Sequence, residues 1–306
     1  MVVALMSGGA IAATVVAQQT TFPPPFVREN ALVKLGDHSW VIPDGGTPRV
    51  PNVGIVVGAR ATLVIDPGLG RRNGDVVRRE IGTISRNAEL YVASTHYHVE
   101  HTTGVAAFPP PAQYVNARVQ EAEFGEGAAA QAKAFAARSA LDAELLSDVV
   151  ARPPDIPFDR EHVLDLGGVR VRLVMVGPTH TRGDTVFFVE GDRVLFAGDV
   201  VMNNSFVAAM AVSSVTAWLT AFDLLDGWKP RTIVPAHGQV GTGDLVGINR
   251  AVMLAIQARA RDLKAQGRPA DDVAEIVQRE MQAAHPTWAR INGVGFAARA
   301  AYAEAP

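Results

Sequence analysis

The chain has 306 residues, of which 48% are hydrophobic and 19% are charged, and its formal net charge is -3. It lacks the basic excess that nucleic-acid-binding proteins usually carry, so we expect no nucleic-acid partner. The absence of cysteine excludes disulfides, thiol nucleophiles and iron–sulfur clusters, so any metal must be held by His, Asp or Glu.

The N-terminal segment has the pattern of a secretory signal peptide. Residues 2–17 are apolar or small and uncharged, and a polar, proline-rich stretch follows at Gln18–Pro25. We predict a signal peptide over residues 1–17, cleaved near Ala17, although the usual positively charged start is missing. A membrane anchor or a buried strand is the alternative, but a span usually needs about 20 apolar residues. We expect a periplasmic or secreted protein with no stable membrane span after signal removal.

The first half of the chain alternates short apolar runs with turn residues, which predicts strands. These strands are predicted at Ala31–Leu35, Ser39–Ile42, Val53–Val57, Ala61–Ile65 and Leu90–Ser94. The spacing of Asp75–Ser85 is helical. The stretch from Ala117 to Val150 is rich in helix formers and predicts one or two helices.

The second half repeats this order of strands followed by helices. Strands are predicted at Glu161–Leu164, Val169–Val176, Thr185–Glu190, Arg193–Ala197 and Thr232–Val234. Helices are predicted at Ser213–Leu225, Asp244–Ala265, Ala270–Gln282 and Gly295–Ala303. The pattern predicts two sheets packed face to face with helices outside. No linker is long enough to separate domains, so we expect one domain over residues 18–306 that ends in helices.

The segment from Thr95 to His101 follows a predicted strand and holds His96, His98, Glu100 and His101. Imidazole and carboxylate groups are natural ligands of Zn, Fe or Mn. In an extended segment His96 and His98 point the same way, whereas a helix that begins near Val99 would direct Glu100 and His101 elsewhere. The alternative is a solvent-exposed, histidine-rich loop.

Three further residues that can ligate a metal each follow a predicted strand and stand beside glycine or proline: His180, Asp199 and His237. Singly, each has an ordinary explanation as a surface histidine or a turn. Together they form a series of polar residues in loops on a rigid scaffold, which is where sites are usually built.

This series resembles the metallo-β-lactamase superfamily, whose usual signature is His-x-His-x-Asp-His followed by a later His, a Gly-Asp and a final His. The resemblance implies a four-layer αβ/βα sandwich. It implies a first metal held by His96, His98 and His180, a second held by Glu100, His101 and His237, and Asp199 bridging the two. Asp66 would orient ligands, and Asp184 would have a similar part. Zinc, with two ions, is the expected metal, and Fe or Mn is the alternative.

One position departs from the signature, because Glu100 stands where the superfamily usually has aspartate. The extra methylene places the carboxylate about one C–C bond further out. Glu100 would ligate the second metal, bind it differently, or act as a base near a single metal.

The resemblance implies an enzyme that uses a metal-activated hydroxide on an ester, lactone, thioester or related bond of a small molecule. Asp199 or Glu100 would accept or relay the proton. The bridging aspartate is more similar to the glyoxalase-II and lactonase branches than to true β-lactamases. β-Lactam hydrolysis, iron-dependent oxidoreductase or dioxygenase chemistry, and metal binding without catalysis are the alternatives. The sequence does not indicate an oligomeric state.

Overall fold

A computed structural model describes residues 23–147, 149 and 151–306. The predicted signal peptide, residues 1–17, lies outside the described residues. The strands are β1 Val33–Lys34, β2 Ser39–Ile42, β3 Val53–Val57, β4 Ala61–Ile65, β5 Glu89–Ala93, β6 Gln113–Ala117, β7 Ile156–Phe158, β8 Glu161–Asp165, β9 Arg170–Met175, β10 Thr185–Val189, β11 Val194–Gly198, β12 Thr232–Pro235 and β13 Gly241–Thr242. The α-helices are α1 Gly70–Ile84, α2 Val99–Thr102, α3 Arg118–Ala136, α4 Ala140–Leu145, α5 Val215–Trp228, α6 Asp244–Ala265, α7 Ala270–Ala284 and α8 Asn292–Glu304.

The strands form two sheets that follow the two halves of the chain. The first is a 7-stranded sheet in sequential order from β1 to β7, antiparallel through β4 and parallel from β4 to β7. The second is a 6-stranded sheet in the order β13-β12-β11-β10-β9-β8, in which only β11 and β12 pair in parallel. Each half thus contributes one sheet, as the sequence predicts.

Three of the four apolar clusters among the described residues form the layers of the sandwich, and the fourth packs α3 and α4 beside α2. The central layer lies between the sheets and joins residues such as Leu63 and Val115 of the first sheet to Phe187 and Phe196 of the second. A second layer packs α1 on the outer face of the first sheet. A third packs α5 to α8 on the outer face of the second sheet. This order of helix, sheet, sheet and helix confirms the predicted αβ/βα sandwich.

Three strands were not expected from the sequence: β6, β7 and the two-residue β13. β6 follows directly on the Pro109–Pro111 break, and Pro157 occupies the middle of β7. Proline cannot donate to a strand ladder and is tolerated at sheet edges. β7 is the last strand of its sheet, which is where the structure accommodates Pro157. The predicted helix from Asp75 instead begins at Gly70.

Among the described residues, no helix combines the length and apolar character that crossing a membrane requires.

Candidate metal centre

The predicted ligands meet at one end of the sandwich because each lies just beyond a strand. His96 follows β5, Asp199 follows β11, and His237 follows β12. β11 and β12 are parallel neighbours, so their carboxyl ends share an edge of the second sheet. His180 lies in the loop between β9 and β10. The centre therefore draws on loops of both sheets.

His96, His98 and His180 form a first cluster of three buried side chains, and one ring nitrogen of each lies within 4.8 Å of the others. His98 Nδ1 lies 3.0 Å from His96 Nε2 and 3.2 Å from His180 Nε2. Two nitrogens bound to one tetrahedral zinc at about 2.1 Å are about 3.4 Å apart. The spacing of the three nitrogens therefore fits a shared metal ion.

Glu100, His101 and His237 form a second cluster, also with ligand atoms within 4.8 Å of one another. The short helix α2 begins at Val99, so Glu100 and His101 leave the extended segment that carries His96 and His98. The rings of His101 and His237 lie 5.2 Å apart. One segment thus serves two adjacent clusters, as predicted.

Backbone carbonyls fix the orientation of two histidine rings. His237 Nδ1 lies 2.9 Å from the Val50 carbonyl oxygen, and His180 Nδ1 is hydrogen-bonded to the Ala208 carbonyl oxygen. Because a carbonyl oxygen can only accept, each Nδ1 donates and each Nε2 presents a lone pair. The His180 lone pair is thereby directed at the first cluster.

Asp66 orients two more histidines, as the resemblance implied for it. Its carboxylate accepts from the Thr95 backbone N–H at 2.7 Å and from the Thr95 hydroxyl at 2.8 Å. The hydroxyl, having donated its proton to Asp66, accepts from His96 Nδ1 at 3.0 Å. His101 Nδ1 donates to Asp66 at 3.0 Å. Both rings therefore present Nε2 to the centre, an arrangement typical of metal-bound histidine.

Asp199 lies beside the first cluster, with Oδ2 3.6 Å from His180 Nε2. The preceding Gly198 has a φ of 57°, and a Cβ atom there would lie 2.9 Å from Thr95 Cβ. Glycine thus lets the Asp199 loop approach the His96 loop closely. Asp199 also accepts from Arg290 Nη1 at 3.1 Å. Sequence reasoning missed Arg290, which lies far beyond the motif in an irregular loop between α7 and α8.

Burial and neighbouring charge shift the pKa values of the cluster. Burial, together with the nearby histidines, holds the pKa of His96 and of His98 well below the ordinary value. Burial is also the largest cause that lowers the pKa of His237 to about 3. Burial opposes protonation of His101, but the Asp66 carboxylate outweighs it and raises the pKa of His101 to about 9. Burial raises the pKa of Glu100.

Helix α3 and Asp184 hold the loop that carries His180. Asp184 accepts from the Thr181 backbone N–H at 2.9 Å and from the Thr181 hydroxyl at 2.6 Å. Glu123 of α3 accepts from the backbone N–H of Gly183 at 2.8 Å. Gln120 of α3 donates to the Gly183 carbonyl oxygen at 2.9 Å. These bonds give Asp184 the supporting part that the resemblance implied.

A cavity of about 300 Å³ opens beside His180. Its lining combines apolar side chains with charged ones: Tyr97, Met210, Ala211 and Val212, with Glu123, Glu126 and Arg182. The cavity is thus wide enough for a small substrate and lies directly against the first cluster.

Three buried polar atoms of the centre have no hydrogen-bond partner among the described residues: Glu100 Oε2, His101 Nε2 and Asp199 Oδ1. Leaving a buried polar atom without a partner costs about 1–3 kcal/mol, more for a charged group. A cation would satisfy all three and would separate the converging lone pairs. The donor set of imidazole and carboxylate suits zinc, iron or manganese.

Comparisons with known proteins agree with this geometry. Acyl-coenzyme A thioesterase MBLAC2 of Gallus gallus is 26% identical over 213 residues, covering 61% of this chain and 72% of that protein. The Homo sapiens protein of the same name is 26% identical over 210 residues, with the same shares. A metallo-beta-lactamase from Pontibacter korlensis has a TM-score of 0.55 at 19% identity, covering 72% of this chain and 96% of that one.

The DIM-1 metallo-beta-lactamase has a TM-score of 0.57 at 16% identity, covering 74% of this chain and 96% of that one. At such low identity, these two structures show a shared fold. The sequence model of the metallo-beta-lactamase superfamily matches residues 46–237, which include every predicted ligand but not Arg290. The chain belongs to the metallo-beta-lactamase superfamily and is a hydrolase of that superfamily.

Proposed function

We propose that this chain hydrolyses a thioester or a related ester or lactone bond of a small molecule with two zinc ions. The observation that carries the proposal is the pair of adjacent three-residue clusters, with Asp199 beside the first and ring nitrogens directed inward. The likeness to acyl-coenzyme A thioesterases favours the thioester among these bonds. Membership of the superfamily supports hydrolysis in general.

In this proposal, His96, His98 and His180 hold the first ion, and Glu100, His101 and His237 hold the second, with Asp199 between them. Bound zinc supplies an activated water and polarises the scissile carbonyl. Asp66 and the Val50 and Ala208 carbonyl groups keep the rings in the required orientation. Asp199 holds the proton that the attacking water loses.

The cavity beside His180 receives an apolar part of the substrate. Met210 and Val212 expose 38% and 48% of their surface there, which offers an apolar contact to that part. Tyr97 also lines the cavity and contributes a further apolar surface. The scissile carbonyl would then lie over the first cluster, because His180 borders the cavity.

The test is a panel of thioesters, lactones, phosphodiesters and nitrocefin with protein loaded with zinc, manganese or iron. We expect thioester hydrolysis with zinc, its loss after chelation, and its loss in His96→Ala. His162→Ala, a histidine outside the centre, serves as the matched control and should keep activity. Hydrolysis of nitrocefin alone would favour a β-lactam substrate, and oxygen consumption with iron would favour redox chemistry. Full thioesterase activity in a folded His96→Ala variant would contradict the proposal.

We also propose that the protein is exported to the periplasm or beyond the cell. This proposal rests on the signal-peptide pattern of residues 1–17. Fractionation of cells that express the full chain should recover a shortened protein, with its new N-terminus near Gln18, outside the cytoplasm. An intact N-terminus in the cytoplasmic fraction would contradict it.

A further inference from the structure

Arg290 brings a positive charge to the metal centre from outside the part of the chain that the superfamily sequence model covers. Its guanidinium donates from Nη1 to Asp199 Oδ2 at 3.1 Å, and its side chain is 33% exposed. The same Asp199 oxygen lies 3.6 Å from His180 Nε2. One carboxylate oxygen thus separates the guanidinium from the first cluster.

The loop before α8 is docked so that Arg290 is held in this place. Ala289 pairs with Ser205 through a backbone bridge, and its carbonyl oxygen accepts from the Phe206 N–H at 3.1 Å. The Trp288 ring packs on the Phe206 ring at 5.2 Å. Arg290 itself has a φ of 61°, which is unfavourable for a side chain with a Cβ atom. Strained backbone that persists because its surroundings fix it is often found at ligand sites.

Most of the hydrogen-bonding capacity of this guanidinium is unused within the protein. A guanidinium has five N–H donors, and within the described part of the chain Arg290 makes one hydrogen bond, to Asp199. Arg182, the arginine that lines the cavity, is instead bonded to Glu123 and Glu126. Arg290 therefore has donors to offer a ligand, whereas the charge of Arg182 is already neutralised.

We propose that Arg290 binds an oxyanion group of the substrate, so that the enzyme selects esters or thioesters that carry a carboxylate or phosphate close to the scissile bond. This inference rests on the proposed hydrolytic function and names its substrate class. The planar fork of arginine matches both carboxylate and phosphate, with two parallel hydrogen bonds. A charge-assisted pair of this kind contributes about a 10- to 100-fold preference over a neutral group.

The test uses three thioesters that share one thiol leaving group. They are a glutaryl thioester, the same compound with its free carboxylate converted to a neutral methyl ester, and the analogue in which a phosphonate replaces that carboxylate. In Arg290→Met we expect kcat/KM to fall about 10- to 100-fold for an anionic substrate, mainly through KM. Hydrolysis of the neutral methyl ester should change less than about threefold. Arg290→Lys should retain part of the preference, because it keeps the charge but not the fork. Arg259→Met, which removes the same charge from the surface of α6, is the control and should leave kcat/KM unchanged for both the anionic and the neutral substrate. The phosphonate arm shows whether carboxylate or phosphate is preferred.

A binding measurement separates this inference from the hydrolytic function. Calorimetry of zinc-loaded protein should show that wild type binds glutarate more tightly than butyrate, and that Arg290→Met loses this difference at unchanged zinc content. If wild type cleaves no thioester but binds glutarate through Arg290, the proposed function is wrong and the anion site stands. If Arg290→Met loses equal activity on charged and neutral substrates, or loses zinc, Arg290 only positions Asp199 and the inference is overturned. Unchanged preference in Arg290→Met also overturns it.

Discussion

Glu100 stands where the superfamily signature has aspartate, and its side chain is buried beside His101 and His237. The longer side chain still reaches the second cluster, because α2 begins at Val99 and turns Glu100 inward. Its Oε2 atom has no hydrogen-bond partner among the described residues. The geometry therefore favours a ligand role for Glu100 over that of a distant base.

Replacing Glu100 with glutamine tests this role at nearly constant shape. The amide oxygen is neutral and a poorer metal ligand than a carboxylate, so zinc at the second position should be lost. We expect the zinc content to fall from about two ions per chain to about one, measured by plasma emission after gel filtration. Glu161→Gln, an exposed change on β8, should keep the wild-type content. Retention of both ions by Glu100→Gln would show that the carboxylate is not a ligand.

The buried histidines predict how the stability of the metal-free protein depends on pH. His96, His98 and His237 have lowered pKa values when folded, whereas in the unfolded chain each titrates near the ordinary 6.5. Below about pH 6.5 the unfolded chain therefore binds more protons, and stability falls as pH falls. Well below pH 6.5, His101 is protonated in both the folded and the unfolded chain. Its stabilising contribution is instead lost as pH rises from 6.5 through about 9.

Urea unfolding of metal-free protein should show a free energy of unfolding about 3–4 kcal/mol lower at about pH 5.5 than at about pH 7. The double variant His96→Ala, His98→Ala removes two of the three groups and keeps the opposing contribution of His101, so it should show less than about one third of this dependence. Equal stability of the wild-type protein at both pH values would contradict the assignment of neutral buried rings.

At the scale of elements, strands whose apolar runs end in turn residues were predictable. The bounds of β2, β3, β4 and α6 match the expected ranges, because each is a continuous pattern closed by Gly, Pro or Asp. The positions of the candidate ligands were predictable for the same reason, since each follows such a run. β7 was not predictable because Pro157 argues locally against a strand. Arg290 was not predictable because its place depends on long-range docking of its loop on Phe206.

Helix α3, which follows β6, contacts the loop that carries His180. Glu123 is buried and its two oxygens accept from the backbone N–H groups of Arg182 and Gly183 at 2.9 and 2.8 Å. Glu126 bonds the Arg182 side chain from an exposed position one turn later. The two carboxylates thus share a partner but differ in burial.

Glu123 and Glu126 allow a matched test of how α3 holds the loop that carries His180. In Glu123→Gln the amide oxygen can accept from only one of the two backbone N–H groups, and the amide NH₂ group then points at the second N–H. We therefore expect the free energy of unfolding in urea to be about 1–3 kcal/mol lower. Glu126→Gln should change stability by less than about 0.5 kcal/mol, because exposed ion pairs contribute little. Similar losses in both variants would show that burial of Glu123 is not what holds the loop.

At the scale of the whole molecule, the centre joins the two sheets. His96 and His98 follow a strand of the first sheet, and His180 follows a strand of the second, so a metal held by all three links both halves. Since zinc would bind the folded chain and not an unfolded one, an excess of about 1,000 Kd should add about 4 kcal/mol of stability. For a chain of this size, that corresponds to roughly 10 °C in Tm.

Calorimetry with zinc and with chelator should show this difference in Tm for the wild-type protein, and most of the difference should be lost in His96→Ala. A full zinc-dependent shift in that variant would mean that the ion binds elsewhere and does not tie the sheets together.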